Sequence, residues 1–220
     1  MIAPLDMTLD ELRAALAERL PAHAIFEGWT VQALAEAAGE LGVPVDRAAL
    51  CLPEGPVDMI DAWFARIDRA MAERLAAENI VTRKIRDRIR AAVIARIEIA
   101  ARHPDALRRA LTTLARPDHA GRAAKLGWRA ADAMWRAAGD KSTDFAWYSK
   151  RATLSALYAA TLLAWMDDDS VDFADTRAFL DRRIDDVMRF ERFKARIKPE
   201  PDGHFSLSRF LGRLRYRVQP

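Results

Sequence analysis

The chain has 220 residues, 51% of them hydrophobic and 30% charged, with a net charge of only +3. That is enough for one large domain or two small ones, with a core that needs neither metal nor disulfide. Its lone cysteine, Cys51, excludes an intramolecular disulfide and fits a reducing compartment.

Abundant Ala, Leu and Arg, sparse Gly and the lack of Val/Ile/Thr runs predict an all-α protein. The N-terminal stretch Met1–Glu11 is acidic and discontinuously apolar, unlike a secretory signal or an Arg-rich transit peptide. No apolar run reaches the roughly 20 residues that span a bilayer. Charge is polarised along the chain. Residues 1–65 hold 11 acidic and 3 basic residues, a net −8, whereas residues 187–220 hold 9 basic and 3 acidic, a net +6.

Helix signals follow one another in chain order. Thr8 caps a helix over Leu9–Leu20, and Glu11 completes a capping box. Gly28-Trp29 breaks the chain, and Thr30 opens a short helix, Val31–Ala38, closed by Gly39. A shorter piece follows at Asp46–Leu50. Pro53-Glu54-Gly55-Pro56 is a turn that leads into helices over about 57–77 and 81–102. In the second of these Ile85, Ile89, Val93 and Ile97 form one stripe. Pro104, Pro117 and Gly139 delimit helices over about 105–115, 119–138, 143–167 and 172–197. A Pro- and Gly-containing linker, 198–204, precedes a last helix over 206–218. About ten helices and no strand are expected.

Several chemistries are not written here. His23, His103, His119 and His204 have no carboxylate at metal-ligand spacing, and the nine glycines form no phosphate loop. Cys51 reads as a small packed residue and Asp167–Asp169 as a solvated helix end. The expectation is therefore a protein that is not an enzyme, with no cofactor and no metal.

Four constellations remain. Residues 28–39 resemble the opening of a TetR-type helix-turn-helix, with Val45–Leu50 at its recognition position; in that family such short helices precede a larger helical ligand-binding domain. DNA binding needs a basic surface, and this region is acidic, so no nucleic acid is expected as partner. Second, Ala152–Met166 carries no charge. A helix apolar all round is buried, either as an ordinary core helix or as a cavity wall. Third, Trp147 and Tyr148 beside Lys150 and Arg151 form an aromatic–basic lip, suited to an interface or a membrane headgroup layer, or simply packed. Fourth, Leu207, Phe210, Leu211, Leu214 and Val218 share one face of the last helix, with Arg209, Arg213 and Arg217 opposite. That suits an anionic membrane surface, or docking on the core or a dimer mate.

Residues 138–194 closely resemble the lipid-binding accessory protein family of ubiquinone (coenzyme Q) biosynthesis. The matching elements are Ala-Gly-Asp-x-Ser-Thr-Asp-Phe (138–145), Trp-Tyr-x-Lys-Arg (147–151), Thr-Leu-Leu-x-Trp (161–165), Asp-x-Ser (168–170) and Asp-Phe-x-Asp-Thr (172–176). They continue through Phe-Leu-x-Arg-Arg-Ile-x-Asp-Val-Met (179–188) and Phe-Glu (190–191), with Gly-Trp-Thr at 28–30 also similar. Ala146 and Cys51-Leu52 depart from the family's usual residues.

The resemblance implies a TetR-like all-α homodimer that binds isoprenoid lipids or quinone precursors and presents them at a membrane to the di-iron demethoxyubiquinone hydroxylase. It implies three parts: 1–65, helix-turn-helix-like; 66–198, lipid-binding and dimerisation; 199–220, linker and membrane helix. Leu154, Leu157, Tyr158, Thr161, Leu162 and Trp165 would line the lipid pocket. Asp144, Trp147, Tyr148, Lys150 and Arg151 would face the partner, with the ligand's head near this lip. Leu207, Phe210, Leu211, Arg213, Leu214 and Arg217 would meet the membrane. The lack of a presequence implies a bacterial cytoplasm, peripheral to the inner membrane. The alternative is a TetR-like regulator with a lipophilic effector.

Overall fold

A computed structural model describes residues 3–142 and 145–197. The expected helix 206–218, with the membrane-facing residues assigned to it, and Asp144 lie outside the described residues. Two compact units are present, Met1–Ile184 and Asp185–Pro220. Among the described residues there are nine α-helices and no strand. They are α1 (Leu9–Glu27), α2 (Val31–Leu41), α3 (Val45–Leu50), α4 (Pro56–Ala77), α5 (Ile85–Ala100), α6 (Pro104–Leu114), α7 (Ala120–Ala137), α8 (Phe145–Met166) and α9 (Ala174–Ile197). The described part of the second unit is helical and holds an Arg189–Asp186 ion pair.

The Thr8–Glu11 capping box forms as the sequence requires, with Thr8 N–H donating to Glu11 Oε2 at 2.8 Å. Two helices outrun their expected ends. α1 continues through Pro21 to Glu27, because Leu16, Leu20 and Ala24 bury one face of the helix on both sides of the proline. That burial outweighs the hydrogen bond proline cannot make. α2 runs past Gly39 to Leu41. Its stop is Gly42, which takes the left-handed conformation (φ 66°) and donates its N–H to Ala38 O. α5 begins at Ile85, since Ile80–Thr82 close a 3-10 turn after the left-handed Asn79.

The core of the first unit centres on α4, which packs against α1, α5, α6 and α7. Met59, Ile60, Trp63, Ile67, Met71 and Leu75 of α4 are buried. The α1–α2 junction is pinned to this core by Trp29. Its indole N–H donates to Ala106 O at 3.1 Å, and its ring lies 5.2 Å from that of Trp63. A second face of α4 is acidic. Asp58 pairs with Arg122 of α7 at 2.6 Å, and Asp61 pairs with Arg13 of α1 at 3.1 Å and with Arg129 of α7. Carboxylates three residues apart on one helix, facing arginines seven apart on another, fix the α4–α7 alignment.

Asp168 is buried rather than a solvated helix end. Its carboxylate accepts from Ser170 N, Ser170 Oγ, Thr176 N and Thr176 Oγ1 at 2.5–2.8 Å. Burial alone would raise its pKa. The four donors outweigh that and hold the group well below the usual carboxylate range. The Asp-x-Ser and Asp-Thr pairs are thus one device that folds the α8–α9 turn. Asp168→Ala leaves four donors without their acceptor and is expected to lower the unfolding free energy by about 2 kcal/mol in urea titrations.

Candidate functional site: an open apolar groove between α7 and α8

Trp135 Nε1 donates to Lys150 O at 3.0 Å, and Gly127 faces Ser155, so α8 runs antiparallel to α7. The approach is close. A Cβ added to Gly127 would stand 2.9 Å from Ser155 Oγ. Small residues on both helices shape the space beside this contact. Ala123, Ala124 and Gly127 come from α7, and Ala152, Ser155, Ala156 and Ala159 from α8. They border a groove of about 630 Å³, within the range of roughly 300–1,000 Å³ typical of small-molecule sites. Leu111 and Leu114 of α6 close one side.

This arrangement corrects one expectation about α8. Although apolar all round, the helix is not buried all round. Ala152, Ala156, Ala159 and Leu163 fall on one face at 100° per residue and are exposed, Leu163 by 64%. Of the six residues expected to line a pocket, Tyr158 and Leu162 line this groove. Leu154, Leu157, Thr161 and Trp165 lie on the opposite face and are core. Thr161 Oγ1 donates to Leu157 O at 2.8 Å, and the Trp165 ring packs 5.9 Å from Phe173.

Four of the buried lining residues form the floor: Phe64 of α4, Arg96 of α5, and Tyr158 with Leu162 of α8. Arg96 is 1% exposed. Its Nε donates to Asp68 Oδ1 at 2.8 Å and its Nη1 to the Tyr158 hydroxyl, while its guanidinium lies 5.2 Å from the Phe64 ring centre and 4.8 Å from that of Tyr158. Burial works against its charge, but the Tyr158 and Asp68 oxygens raise its pKa further, so it stays protonated. Burial likewise raises the Tyr158 pKa, so the phenol stays neutral. Arg129 Nε approaches Asp68 Oδ2 at 3.4 Å without the alignment of a hydrogen bond. The sequence reading missed Arg96. A charge amid the apolar run Ala91–Ile97 was the available signal, since a buried arginine requires a partner. It also missed Gly127-Trp128, for which periodicity offers no signal.

The lip is only partly a surface. Tyr148 is 59% exposed, and Trp147 is half-buried. Their rings meet edge-on at 4.8 Å, and Trp128, which lines the groove, lies 5.7 Å from Trp147 and 6.3 Å from Tyr148. Arg151, expected on the partner-facing surface, is 2% exposed. It is an internal strut that donates to Asp132 Oδ1 at 2.6 Å, to Asp140 Oδ2 at 3.2 Å and to Trp147 O, with its guanidinium 4.0 Å from the centre of the Trp147 ring. Lys150 is held by Asp140 at 2.7 Å.

Elsewhere the geometry offers less chemistry. Cys51 is buried, and burial raises its pKa. Among the described residues no group of three or more His, Cys, Asp or Glu is placed to hold a metal, and no helix is long and apolar enough to cross a membrane. On α3, Arg47 donates to Leu5 O and Met7 O at 2.5 and 2.6 Å, which engages that helix's only arginine with backbone.

Residues 120–191, which contain both helical walls of the groove, match the family model COQ9. Over 193 residues the chain is 34% identical to the human Ubiquinone biosynthesis protein COQ9, mitochondrial, covering 85% of this chain and 59% of that one. Over 211 residues it is 26% identical to the probable ubiquinone biosynthesis protein coq9, mitochondrial, of Dictyostelium discoideum, covering 93% and 68%. The chain thus spans about 59% of the length of the human relative. Among solved structures it resembles a TetR transcriptional regulator from Nitrosomonas europaea, with a TM-score of 0.64 and 22% identity over 81% of this chain and 99% of that one. This likeness establishes the TetR-like fold. The expected bacterial cytoplasm does not stand, because these relatives, like that of Drosophila melanogaster, are named mitochondrial proteins.

The lip's charge network carries a pH dependence. Burial alone would raise the Asp140 pKa, but Lys150, Ser142 and Arg151 lower it from 3.8 to about 2. A depressed folded pKa stabilises the protein above the unfolded value and loses that contribution as pH falls through the folded value. On the order of 2 kcal/mol should disappear between about pH 4 and pH 2. Asp140→Asn should flatten the dependence of urea midpoint on pH across that window.

Proposed function

We infer, for a chain that is a relative of the COQ9 proteins, that it is a non-catalytic lipid-binding protein of ubiquinone biosynthesis. It takes an isoprenoid quinone precursor into the α7–α8 groove and presents it, at a membrane surface, to the di-iron demethoxyubiquinone hydroxylase. The observation that carries this reading is the groove itself. A continuous apolar channel, open to solvent along Ala152, Ala156, Ala159 and Leu163, marks a surface that binds an apolar partner. An isoprenoid chain matches it in shape and polarity.

Residues 1–65, acidic, would be the degenerate helix-turn-helix-like part; 66–198 the lipid-binding and homodimerising part; and 199–220 the linker and membrane helix, with Leu207, Phe210, Leu211, Arg213, Leu214 and Arg217 at the lipid surface. Trp147 and Tyr148 would meet the hydroxylase. They touch Trp128 on the groove's own wall without lining the groove themselves, so docking would take place beside the lipid. A DNA-reading role has little to support it: the net charge over 1–65 is −8, and Arg47 is engaged with backbone.

Two substitutions separate the parts. Ala156→Trp with Ala159→Trp fills the groove from exposed positions and should leave the melting midpoint near that of wild type. Uptake of a fluorescent farnesyl probe from liposomes should fall at least tenfold; unchanged uptake would remove the groove from the account. Trp147→Ala with Tyr148→Ala should weaken capture of the hydroxylase by about 100-fold, in the manner of paired aromatic anchors, with farnesyl uptake kept. Undiminished capture would place the partner surface elsewhere.

A further inference from the structure

The floor of the groove carries polar chemistry that an apolar tail does not use. Tyr158 and Arg96 are both buried and both line the groove. The Tyr158 oxygen accepts from Arg96 Nη1, which leaves the phenolic hydrogen to be donated. Of the five N–H donors of Arg96, Asp68 and Tyr158 take one each, which leaves donors on a residue that lines the groove. A donor pair set in apolar surroundings recognises an oxygen acceptor, because either partner left bare there is costly.

The charge state narrows the class. Asp68 stands 2.8 Å from Arg96 and compensates its charge within the floor. A di- or triphosphate head would bring several negative charges to a site with no uncompensated cation. A neutral carbonyl or methoxyl oxygen needs none. Building on the lipid-binding reading above, we propose that the Tyr158–Arg96 pair is the head-group site of the groove. It holds a neutral oxygen acceptor of a prenylated ring, so the ligand lies head to the floor with its tail leaving past Ala159 and Leu163. This reverses the orientation expected from the sequence, in which the head stays at the lip, so the floor is a holding position and handing the ring to the hydroxylase requires the Tyr158 hydrogen bond to break. Trp128, on the wall, is then an optical reporter, since a bound quinone quenches a nearby indole.

The test uses the full chain and three probes: a short-chain prenylated benzoquinone, the headless hydrocarbon farnesene, and farnesyl diphosphate. Wild type should bind the quinone more tightly than either other probe. Its carbonyl stretch should move to lower wavenumber on binding, as a hydrogen-bonded carbonyl does. Tyr158→Phe should weaken the quinone about 5- to 10-fold and leave farnesene unchanged. The infrared shift is read on wild type, so it stands even where the variant folds poorly. An unshifted carbonyl, or tighter binding of farnesyl diphosphate, overturns the head-group site while leaving the groove as a lipid site. Failure of all three probes to bind overturns both.

Discussion

A single buried guanidinium ties the centre of this molecule together. Arg96 of α5 donates to Asp68 of α4 and to Tyr158 of α8, and it packs against the Phe64 and Tyr158 rings. The consecutive helices α4 and α5 and the later α8 are thereby held at one point beneath the groove. A buried ion pair is not of itself a large source of stability, since desolvation offsets most of its attraction. Its effect here is positional. Removing one partner would strand the other in a low-dielectric interior, a loss of about 3–5 kcal/mol, so α4, α5 and α8 have one acceptable arrangement.

The groove is the consequence of that arrangement combined with small side chains. α4 fixes α7 through Asp58–Arg122 and Asp61–Arg129, and α7 meets α8 at Gly127. With α8 also anchored at Tyr158, the two walls cannot close over the alanines between them. An apolar strip stays open where ordinary packing would have buried it. At its aromatic end, Trp128 couples this strip to Trp147 and Tyr148, and the Arg151 strut sets the angle of Trp147 from below. The TetR-like framework is thus kept, and the acidic α1–α3 region packs onto α4 and α6 through Trp29.

How much of this was legible in the chain follows from the kind of signal each part leaves. Helix starts were readable where a side chain closes a local cap, as at Thr8 and Thr30, because the partners lie within one turn. Helix ends were less so. Pro21 and Gly39 look like breaks, yet burial of α1 and the left-handed demand met only at Gly42 decided both. The groove's location on α8 was readable, but not which face: a helix without charges carries no moment to orient it, and the open side is set by α7 and α6. Arg151 shows the same limit. Its sequence neighbours place it on a lip, and only the fold brings Asp132 and Asp140 around it.

The groove is the proposed lipid site. Its most direct test is native mass spectrometry of the full chain purified without detergent, with organic extraction and identification of what it carries. Protein carrying isoprenoid lipids or prenylated quinones, lost on filling the groove at Ala156 and Ala159, is the result expected. Protein that carries the same lipids with the groove filled, or none from any gentle preparation, would contradict it.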